Sequence, residues 1–226
     1  MKIGIICAMD EEIRLLVEKL ENANQHTRHG FIFHTGNIGM HEVVLVQSGI
    51  GKVMSAIAVT LLVEIFEVDS IINTGSAGAL DESLKIGDVV IADKLAYHDV
   101  DVTAFGYDFG QMAQQPLYFE SSKYFISELK KIIDNPKIGL ITSSDSFISS
   151  DEKVAGIKTH FPDVQAVEME GASIAQAATA LKKPFVIIRA ISDTASHDAN
   201  VKFDEFIIEA GRNSAALLIE FLEKLQ

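Results

Sequence analysis

The sequence predicts an α/β fold, in which a mixed β-sheet is flanked by helices on both faces. Short segments rich in β-branched residues alternate with segments of helical periodicity along the chain. The early strands follow one another as in a hairpin, whereas helices separate the later strands as in crossover units. No repeat, low-complexity segment or Pro/Gly-rich linker divides the chain, so we predict that residues 1–226 form one domain.

The elements are assigned in chain order from these patterns. Strands are expected where β-branched and aromatic residues lie between turn residues, at 2–8, 31–37, 41–47, 70–73, 88–96, 137–142, 164–167 and 185–191. Helices are expected where apolar residues recur with helical spacing, at 11–21, 52–66, 123–133, 151–158, 171–181 and 203–224. Ligands of such sheets bind beyond the carboxyl ends of the strands. The residues just after each strand are therefore the candidates for a functional site.

Composition and charge exclude several classes of function. The net charge of −13 argues against binding to nucleic acids or anionic membranes, which need a basic face on the protein. The four arginines, Arg14, Arg28, Arg189 and Arg212, leave few candidates for a fork that grips free phosphate. The single cysteine, Cys7, rules out an intrachain disulfide and favours a cytoplasmic location. A neutral or cationic small molecule is the expected ligand.

Three segments that follow predicted strands carry glycines or carboxylates. In residues 8–12, Asp10 is a suitable N-cap, and Glu12 either stabilises the positive end of the helix or acts in catalysis. The glycine-rich segments 48–52 and 74–78 either form turns or bring their N–H groups close to a ligand. Neither of them matches a Walker loop or a GxGxxG fingerprint.

Two later segments place carboxylates at the ends of apolar strands. Glu168 and Glu170 are two residues apart, so both can point to one face, although a solvated strand end would look the same. Asp193 follows a nearly continuous apolar strand and is either an acid in a pocket or the cap of a turn. Arg189 lies within that strand and needs an acidic partner, for which Glu168 and Glu170 are the natural candidates.

Residues 102–116 form an aromatic segment with little secondary-structure signal. Phe105, Tyr107, Phe109 and Met112 would be costly to leave in water. They pack on their own domain, or they line a ligand pocket or a subunit interface. We favour the second alternative because a loop this apolar usually covers something.

With these segments identified, the chain resembles the 5′-methylthioadenosine/S-adenosylhomocysteine nucleosidases of the purine nucleoside phosphorylase superfamily. The resemblance runs the whole length, from GIICAMDEEI through QSGIGKV and NTGSAGAL to VEMEGA and ISDTA. It implies a nucleoside phosphorylase-like fold with a partly barrel-like sheet, and a homodimer whose site lies near the interface. It also implies hydrolysis that releases adenine, with neither a metal nor an organic cofactor.

The resemblance implies catalytic roles for two carboxylates. Glu12 would polarise the attacking water, and Asp193 would protonate N7 of adenine with help from Ser192. This pair of roles is analogous to that of the two carboxylates in glycosidases, because a departing purine needs an acid and the attacking water needs a base.

Binding roles follow in the same way. Glu170 and Met169 would hold the ribose, and Glu168 and Arg189 would support them. Ser76 would contact the sugar side, Phe147 would stack on the base, and the Ile148 backbone would bind the edge of the adenine. Met9, Ile50 and Phe203 would line the pocket of the 5′ substituent. Ala77 and Gly78 are also expected to line the site. The residues expected from the partner subunit are Val102, Phe105, Tyr107 and Pro116.

Three alternatives differ from this prediction. A nucleoside phosphorylase would need a phosphate cradle, which an acidic chain without arginine in its glycine segments supplies poorly. A non-catalytic nucleoside-binding protein would lack the acid or the base, yet Glu12 and Asp193 are both present. A dinucleotide oxidoreductase would carry GxGxxG after its first strand. The apolar 5′ pocket leaves methylthioadenosine, S-adenosylhomocysteine, 5′-deoxyadenosine and aminodeoxyfutalosine open as substrates.

Overall fold

The computed structural model describes residues 1–133, 136–195 and 199–226. The strands within these ranges are β1 (Lys2–Cys7), β2 (Glu21–Arg28), β3 (Phe31–Ile38), β4 (His41–Gln47), β5 (Ser70–Ala79), β6 (Val89–Tyr97), β7 (Phe119–Glu120), β8 (Lys137–Ser143), β9 (Val164–Glu168) and β10 (Phe185–Asp193). The helices are α1 (Asp10–Lys19), α2 (Lys52–Phe66), α3 (Lys123–Leu129), α4 (Asp151–His160), α5 (Gly171–Ala180) and α6 (Ala199–Lys224). No helix in the described part of the chain is both long and apolar enough to cross a membrane.

The strands form one mixed sheet that closes partly on itself. Its order is β10-β6-β8-β9-β5-β1-β4-β3-β2, and β10 also pairs in parallel with β5. That second pairing closes β5, β10, β6, β8 and β9 into a ring, while β1, β4, β3 and β2 extend from β5 as an open sheet. The predicted mixed and partly barrel-like sheet is therefore confirmed.

Helices cover the sheet on both faces, as predicted. Side chains of successive residues in β1 alternate between the two faces. Ile6 packs in the apolar layer under α2 and α5, and Ile5 and Cys7 pack in the layer under α1, α3 and α6. The small residues of α5 let it approach α2 closely, and the Ser55 and Ser173 hydroxyls lie 2.6 Å apart. Burial of both layers fixes the register of the strands that carry the site.

Strand β2 is absent from the prediction, which ended a helix at Glu21 instead. Its sequence, ENANQHTR, is polar, and nearly every residue in it is exposed. The strand forms because its backbone pairs with β3 in antiparallel fashion at the edge of the sheet. A polar edge strand protects the sheet from pairing with other chains and carries no alternating apolar pattern. The prediction was wrong here because edge pairing is a tertiary effect.

Strand β5 continues to Ala79, whereas the sequence predicted that it ends at Asn73 and that a glycine-rich turn follows. The small residues of TGSAGA are needed because other side chains occupy the space beside this strand. A Cβ atom at Gly75 would lie 2.6 Å from Glu12 Oε1, and one at Gly78 would lie 2.8 Å from Asp193 Oδ1. Because Gly75 and Gly78 have no side chains, the carboxylates of Glu12 and Asp193 can lie directly against β5.

Candidate active site

A cavity of about 390 Å³ lies where β1, β9 and β10 end. All five segments singled out from the sequence contribute to its wall, which confirms that the post-strand residues gather at one place. The predicted site residues that line it are Met9, Glu12, Ile50, Ser76, Ala77, Gly78, Phe147, Ile148, Glu168, Met169, Glu170, Ser192, Asp193 and Phe203.

Glu12 is held in the first turn of α1 by four hydrogen bonds. Its Oε2 accepts from the N–H groups of Ala8 (2.9 Å) and Met9 (3.2 Å), and its Oε1 accepts from the N–H and the hydroxyl of Ser76 (3.0 and 3.2 Å). The N-cap of α1 is Met9 rather than the predicted Asp10, which is already helical. Burial raises the pKa of Glu12, while the Arg189 guanidinium and the backbone N–H groups oppose the rise.

Asp193 ends β10 and is almost completely buried. Its Oδ2 accepts a hydrogen bond of 2.9 Å from the Ser192 hydroxyl, and its Oδ1 accepts one of 2.7 Å from the N–H of Ala195. This carboxylate lines the cavity and also stabilises the turn that follows β10, so the two alternatives left open by the sequence do not exclude each other. Such fixed contacts hold a carboxylate in one orientation.

Glu168 stabilises the turn between β9 and α5. Its Oε2 accepts from the N–H groups of Glu170 (2.9 Å) and Gly171 (2.7 Å) and from Arg189 Nη2 (2.5 Å), while the Ser143 hydroxyl donates to Oε1. Burial alone would raise the pKa of Glu168, but the Arg189 charge and these hydrogen bonds hold it below its usual value. The predicted pairing of Arg189 with an acidic partner is confirmed. Arg189 itself stands behind the cavity wall.

Glu170 lines the cavity, and one of its carboxyl oxygens is hydrogen-bonded to the backbone of Gly51. Its Oε1 accepts a hydrogen bond of 2.9 Å from the N–H of Gly51, and its Oε2 lies 3.6 Å from Arg189 Nη2. Burial and the neighbouring negative charge of Glu168 raise the pKa of Glu170 to about 8, although Arg189 and Gly51 oppose the rise. Because Arg189 already pairs with Glu168, its charge compensates Glu170 only in part.

Apolar side chains form another part of the cavity wall. Phe147 and Phe203 pack edge to face with ring centroids 5.6 Å apart, and Ile148 is buried beside them. Ile50 is 55% exposed, so this side of the cavity opens to the surface of the chain. The wall thus combines flat and aliphatic side chains with polar and acidic ones, as expected for a site that binds a small organic molecule.

Known proteins of similar sequence and structure share this arrangement of elements. A family model described as the phosphorylase superfamily matches residues 2–223. The 5′-methylthioadenosine/S-adenosylhomocysteine nucleosidase of Staphylococcus carnosus (strain TM300) is 47% identical over 227 residues, which cover 99% of this chain and 100% of that protein. The chain belongs to the 5′-methylthioadenosine/S-adenosylhomocysteine nucleosidase family. It is therefore an enzyme of the class that hydrolyses N-glycosidic bonds, and the dinucleotide oxidoreductase alternative is excluded.

Solved structures of this nucleosidase family superpose closely on the chain. The Streptococcus pneumoniae enzyme in complex with 8-aminoadenine is 61% identical, with a TM-score of 0.98 and complete coverage of both chains. The Neisseria meningitidis enzyme in complex with methylthio-immucillin-A is 45% identical, with a TM-score of 0.96 and coverage of 99% of each chain. The resemblance drawn from the sequence motifs is thereby confirmed.

The second group of predicted site residues lies away from the chain's own cavity. Val102, Phe105, Tyr107 and Pro116 are not part of its wall, and Phe105 is 81% exposed at the end of a short 3₁₀ turn. Phe109 behaves differently, since its ring stacks on His160 with centroids 3.9 Å apart and packs on its own chain. The first alternative, packing on the same domain, therefore holds for Phe109 and does not hold for the exposed Phe105.

Three lining residues were missed by the sequence analysis of this nucleosidase. Ala8, Ser146 and Val167 also contribute to the wall. Ala8 and Val167 are apolar neighbours of predicted site residues, so their positions next to Met9 and Glu168 were the only available signal. Ser146 precedes Phe147 in a segment where several serines follow one another, and nothing in the sequence distinguishes it from them.

Proposed function

We propose that this nucleosidase hydrolyses the N-glycosidic bond of 5′-methylthioadenosine and S-adenosylhomocysteine, releasing adenine and the 5-thio-substituted ribose. The observation that carries the proposal is the placement of two carboxylates against one strand. Glu12 occupies the space beside Gly75, and Asp193 occupies the space beside Gly78. Both carboxyl groups line the same cavity, so a substrate bound there can meet an acid at its base and a second carboxylate beside the attacking water.

In the proposed mechanism, Asp193 donates a proton to N7 of adenine while the bond between C1′ and N9 breaks. The bonding electrons leave with the base, and the ribose acquires oxocarbenium character. Water attacks C1′, and Glu12 accepts its proton. Ser192 fixes the orientation of Asp193, and exchange with solvent returns both carboxyls to their starting protonation states. Each proton transfer then occurs at a group already fixed by hydrogen bonds.

The remaining wall would recognise the rest of the substrate. Glu170 accepts hydrogen bonds from the ribose hydroxyls at the carboxyl oxygen that the Gly51 N–H leaves free. Met169 and Ser76 contact the sugar, and Phe147 stacks on adenine. The Ile148 backbone forms hydrogen bonds with the edge of the adenine ring. The thio-substituent lies against the apolar side chains of Met9, Ile50 and Phe203.

Water rather than phosphate is the proposed nucleophile. The described wall contains the carboxylates of Glu12, Glu168, Glu170 and Asp193 and contains no lysine or arginine. A phosphate dianion would find no free cation here, because the Arg189 charge is already engaged by Glu168 behind the wall. This charge distribution favours hydrolysis over phosphorolysis.

A second copy of the chain is the proposed partner. An exposed apolar surface begins at the cavity rim with Ile50 and continues along α2 through Val53 and Ile57. Exposed apolar patches of this kind on soluble proteins mark interaction surfaces. In a homodimer, the exposed Phe105 with Val102, Tyr107 and Pro116 would complete the 5′ side of the partner's cavity, which is open in the single chain.

The test of the proposed function is the product formed from methylthioadenosine with and without phosphate. Hydrolysis predicts release of adenine and free methylthioribose in phosphate-free buffer, with no increase when phosphate is added. Turnover that requires phosphate and yields a sugar 1-phosphate would show a phosphorylase instead. Loss of turnover in Glu12→Gln, with folding retained, would assign the release to this cavity.

A further inference from the structure

Two successive N–H groups at the start of α2 hold two carboxylates from different parts of the chain. The N–H of Gly51 donates to Glu170 Oε1 at 2.9 Å, and the N–H of Lys52 donates to Asp145 Oδ1 at 2.8 Å. Both bonds use N–H groups in the first turn of a helix, which have no partner within the helix and favour negative charge. One short segment therefore joins the carboxylate that faces the cavity to one at the protein surface.

Gly51 is enclosed by these two carboxylates. Its φ of +98° is a conformation that other residues adopt only with strain, and a Cβ atom there would lie 2.9 Å from Asp145 Oδ1. The Asp145 side chain thus lies directly against the backbone of Gly51. A shift of Asp145 would move the N–H group that fixes Glu170.

The Lys52 side chain completes the network. Its Nζ lies 2.7 Å from Asp99 Oδ2 and 3.8 Å from Asp145 Oδ2, and it stands 5.3 Å from the centre of the Tyr97 ring. The N–H of Asp145 also donates to Asp99 Oδ2 at 3.3 Å. Several charges that share one cation hold their geometry better than an isolated surface pair does.

Asp145 also belongs to the segment that carries the apolar wall of the cavity. Ser146, Phe147 and Ile148 follow it directly and line the cavity. The network therefore fixes the spacing between the wall proposed to stack on adenine and the carboxylate proposed to bind the ribose. Gly51 occupies Glu170 Oε1, which leaves Oε2 as the oxygen for the ribose hydroxyls.

We propose that Asp145 is a positioning residue for ribose recognition, acting with Lys52 through Gly51 on Glu170. This inference rests on the proposed function, because it takes Glu170 as the acceptor of the ribose hydroxyls. Asp145 is not among the residues that line the cavity. Without the Asp145 side chain, the Gly51 N–H is no longer fixed in position, and Glu170 loses its defined orientation toward the sugar.

The experiment compares Asp145→Ala with the wild type on methylthioadenosine and on its 2′-deoxy and 3′-deoxy analogues. Removing a positioning contact and removing the hydroxyl that depends on it are coupled changes. We expect Asp145→Ala to lower kcat/KM for methylthioadenosine by about tenfold and to have little further effect on the analogue that lacks the hydroxyl bound by Glu170. Asp145→Asn, which keeps an acceptor for the Lys52 N–H, should recover most of the loss.

The matched control is Glu220→Ala, which removes one carboxylate of the exposed Lys224–Glu220 pair on α6. It should leave kcat/KM unchanged for every substrate. Equal losses on all three substrates in Asp145→Ala, or an Asn variant no better than the Ala variant, would overturn the inference.

A second measurement does not depend on turnover. The amide proton resonance of Gly51 should move toward the position of a non-bonded amide in Asp145→Ala, as read by NMR. An unchanged resonance would overturn the inference even if the enzyme proves inactive on these nucleosides. Failure of the proposed function would appear separately, as absence of adenine release by the wild type.

Discussion

The carboxylate of Glu12 accepts two hydrogen bonds from Ser76, which lies 64 residues later in the chain. One comes from the backbone of β5 and the other from the serine hydroxyl. Together with the N–H groups of Ala8 and Met9, they leave the carboxylate a single orientation at the cavity wall. The start of α1 is thus held to strand β5, and in the proposed mechanism this contact would set the position of the attacking water.

Gly75→Ala should disturb this contact directly. The new methyl group would lie 2.6 Å from Glu12 Oε1, so the carboxylate must move. Since misplacement of a catalytic group by about 1 Å costs on the order of 100-fold, we expect a fall in kcat/KM of that size. Adenine release under substrate-limiting conditions measures it.

Gly156→Ala is the matched control for this prediction. Apart from its chain neighbours and the backbone of α4 itself, nothing in the described part of the chain lies within 4 Å of a Cβ at Gly156, so the substitution meets open space. It should stabilise the protein by about 0.5–1 kcal/mol, as alanine does in an exposed helix, and leave activity unchanged. Comparable activity losses in the two variants would contradict the role assigned to Gly75.

Glu170 should make stability depend on pH. Its pKa is raised from 4.5 to about 8 in the folded protein, so the folded form keeps a proton that the unfolded form loses. The resulting contribution to the free energy of unfolding is complete below 4.5, decreases between the two pKa values and is absent above the higher one. Glu170→Gln should remove this decrease. Urea unfolding of both proteins across the pH range tests it, and parallel curves would disprove the raised pKa.

Arg189→Met should be strongly destabilising. The substitution leaves Glu168 and Glu170 buried without their shared cation, and loss of one partner of a buried pair costs about 3–5 kcal/mol. Urea unfolding should show this decrease. The control, Arg14→Met, removes the exposed Arg14–Asp10 pair of α1 and should leave stability close to that of the wild type. Similar behaviour of the two variants would mean that the buried cation is dispensable.

Phe105→Ala should weaken association of the chain with a second copy. A buried aromatic residue at the centre of an interface contributes about 2 kcal/mol or more, which corresponds to about a thirtyfold increase in the dimer Kd. Activity should fall at dilutions where the variant dissociates. Sedimentation velocity measures the association, and Met40→Ala, at a site 74% exposed in the β3–β4 turn, is the control. A wild type that remains monomeric at all concentrations would refute the proposed dimer.

Much of the fold was predictable because its strands are buried. Bounds for β4 and α2 agree with the sequence-based prediction residue by residue, since both are apolar segments between turn residues. It was also predictable that the five segments that follow strands would lie together at one cavity, because the carboxyl ends of neighbouring buried strands lie close to one another. The position of Arg189 within an apolar strand also predicted an acidic partner, and Glu168 is that partner.

Other features depend on contacts that the sequence does not display. The end of β5 looks like a glycine-rich turn, and only the carboxylates of Glu12 and Asp193, which need the space beside Gly75 and Gly78, explain why it is a strand. The Lys52 network joins residues from three separate segments, and no local pattern connects them. The pKa of Glu170 is raised by its burial and by the Glu168 charge, and Arg189 opposes this rise from 3.6 Å; none of these contacts is visible in the sequence.

The role of Asp193 as the acid can be tested most directly with two leaving groups. Asp193→Asn should lower the hydrolysis of methylthioadenosine by about 100-fold or more, since adenine needs a proton to depart. The same variant should retain most of its activity on 4-nitrophenyl 5-methylthioriboside, whose phenolate leaves without protonation. Glu12→Gln, by contrast, should lose activity on both substrates. Equal losses of Asp193→Asn on the two substrates would contradict proton donation by Asp193 and, with it, the proposed mechanism.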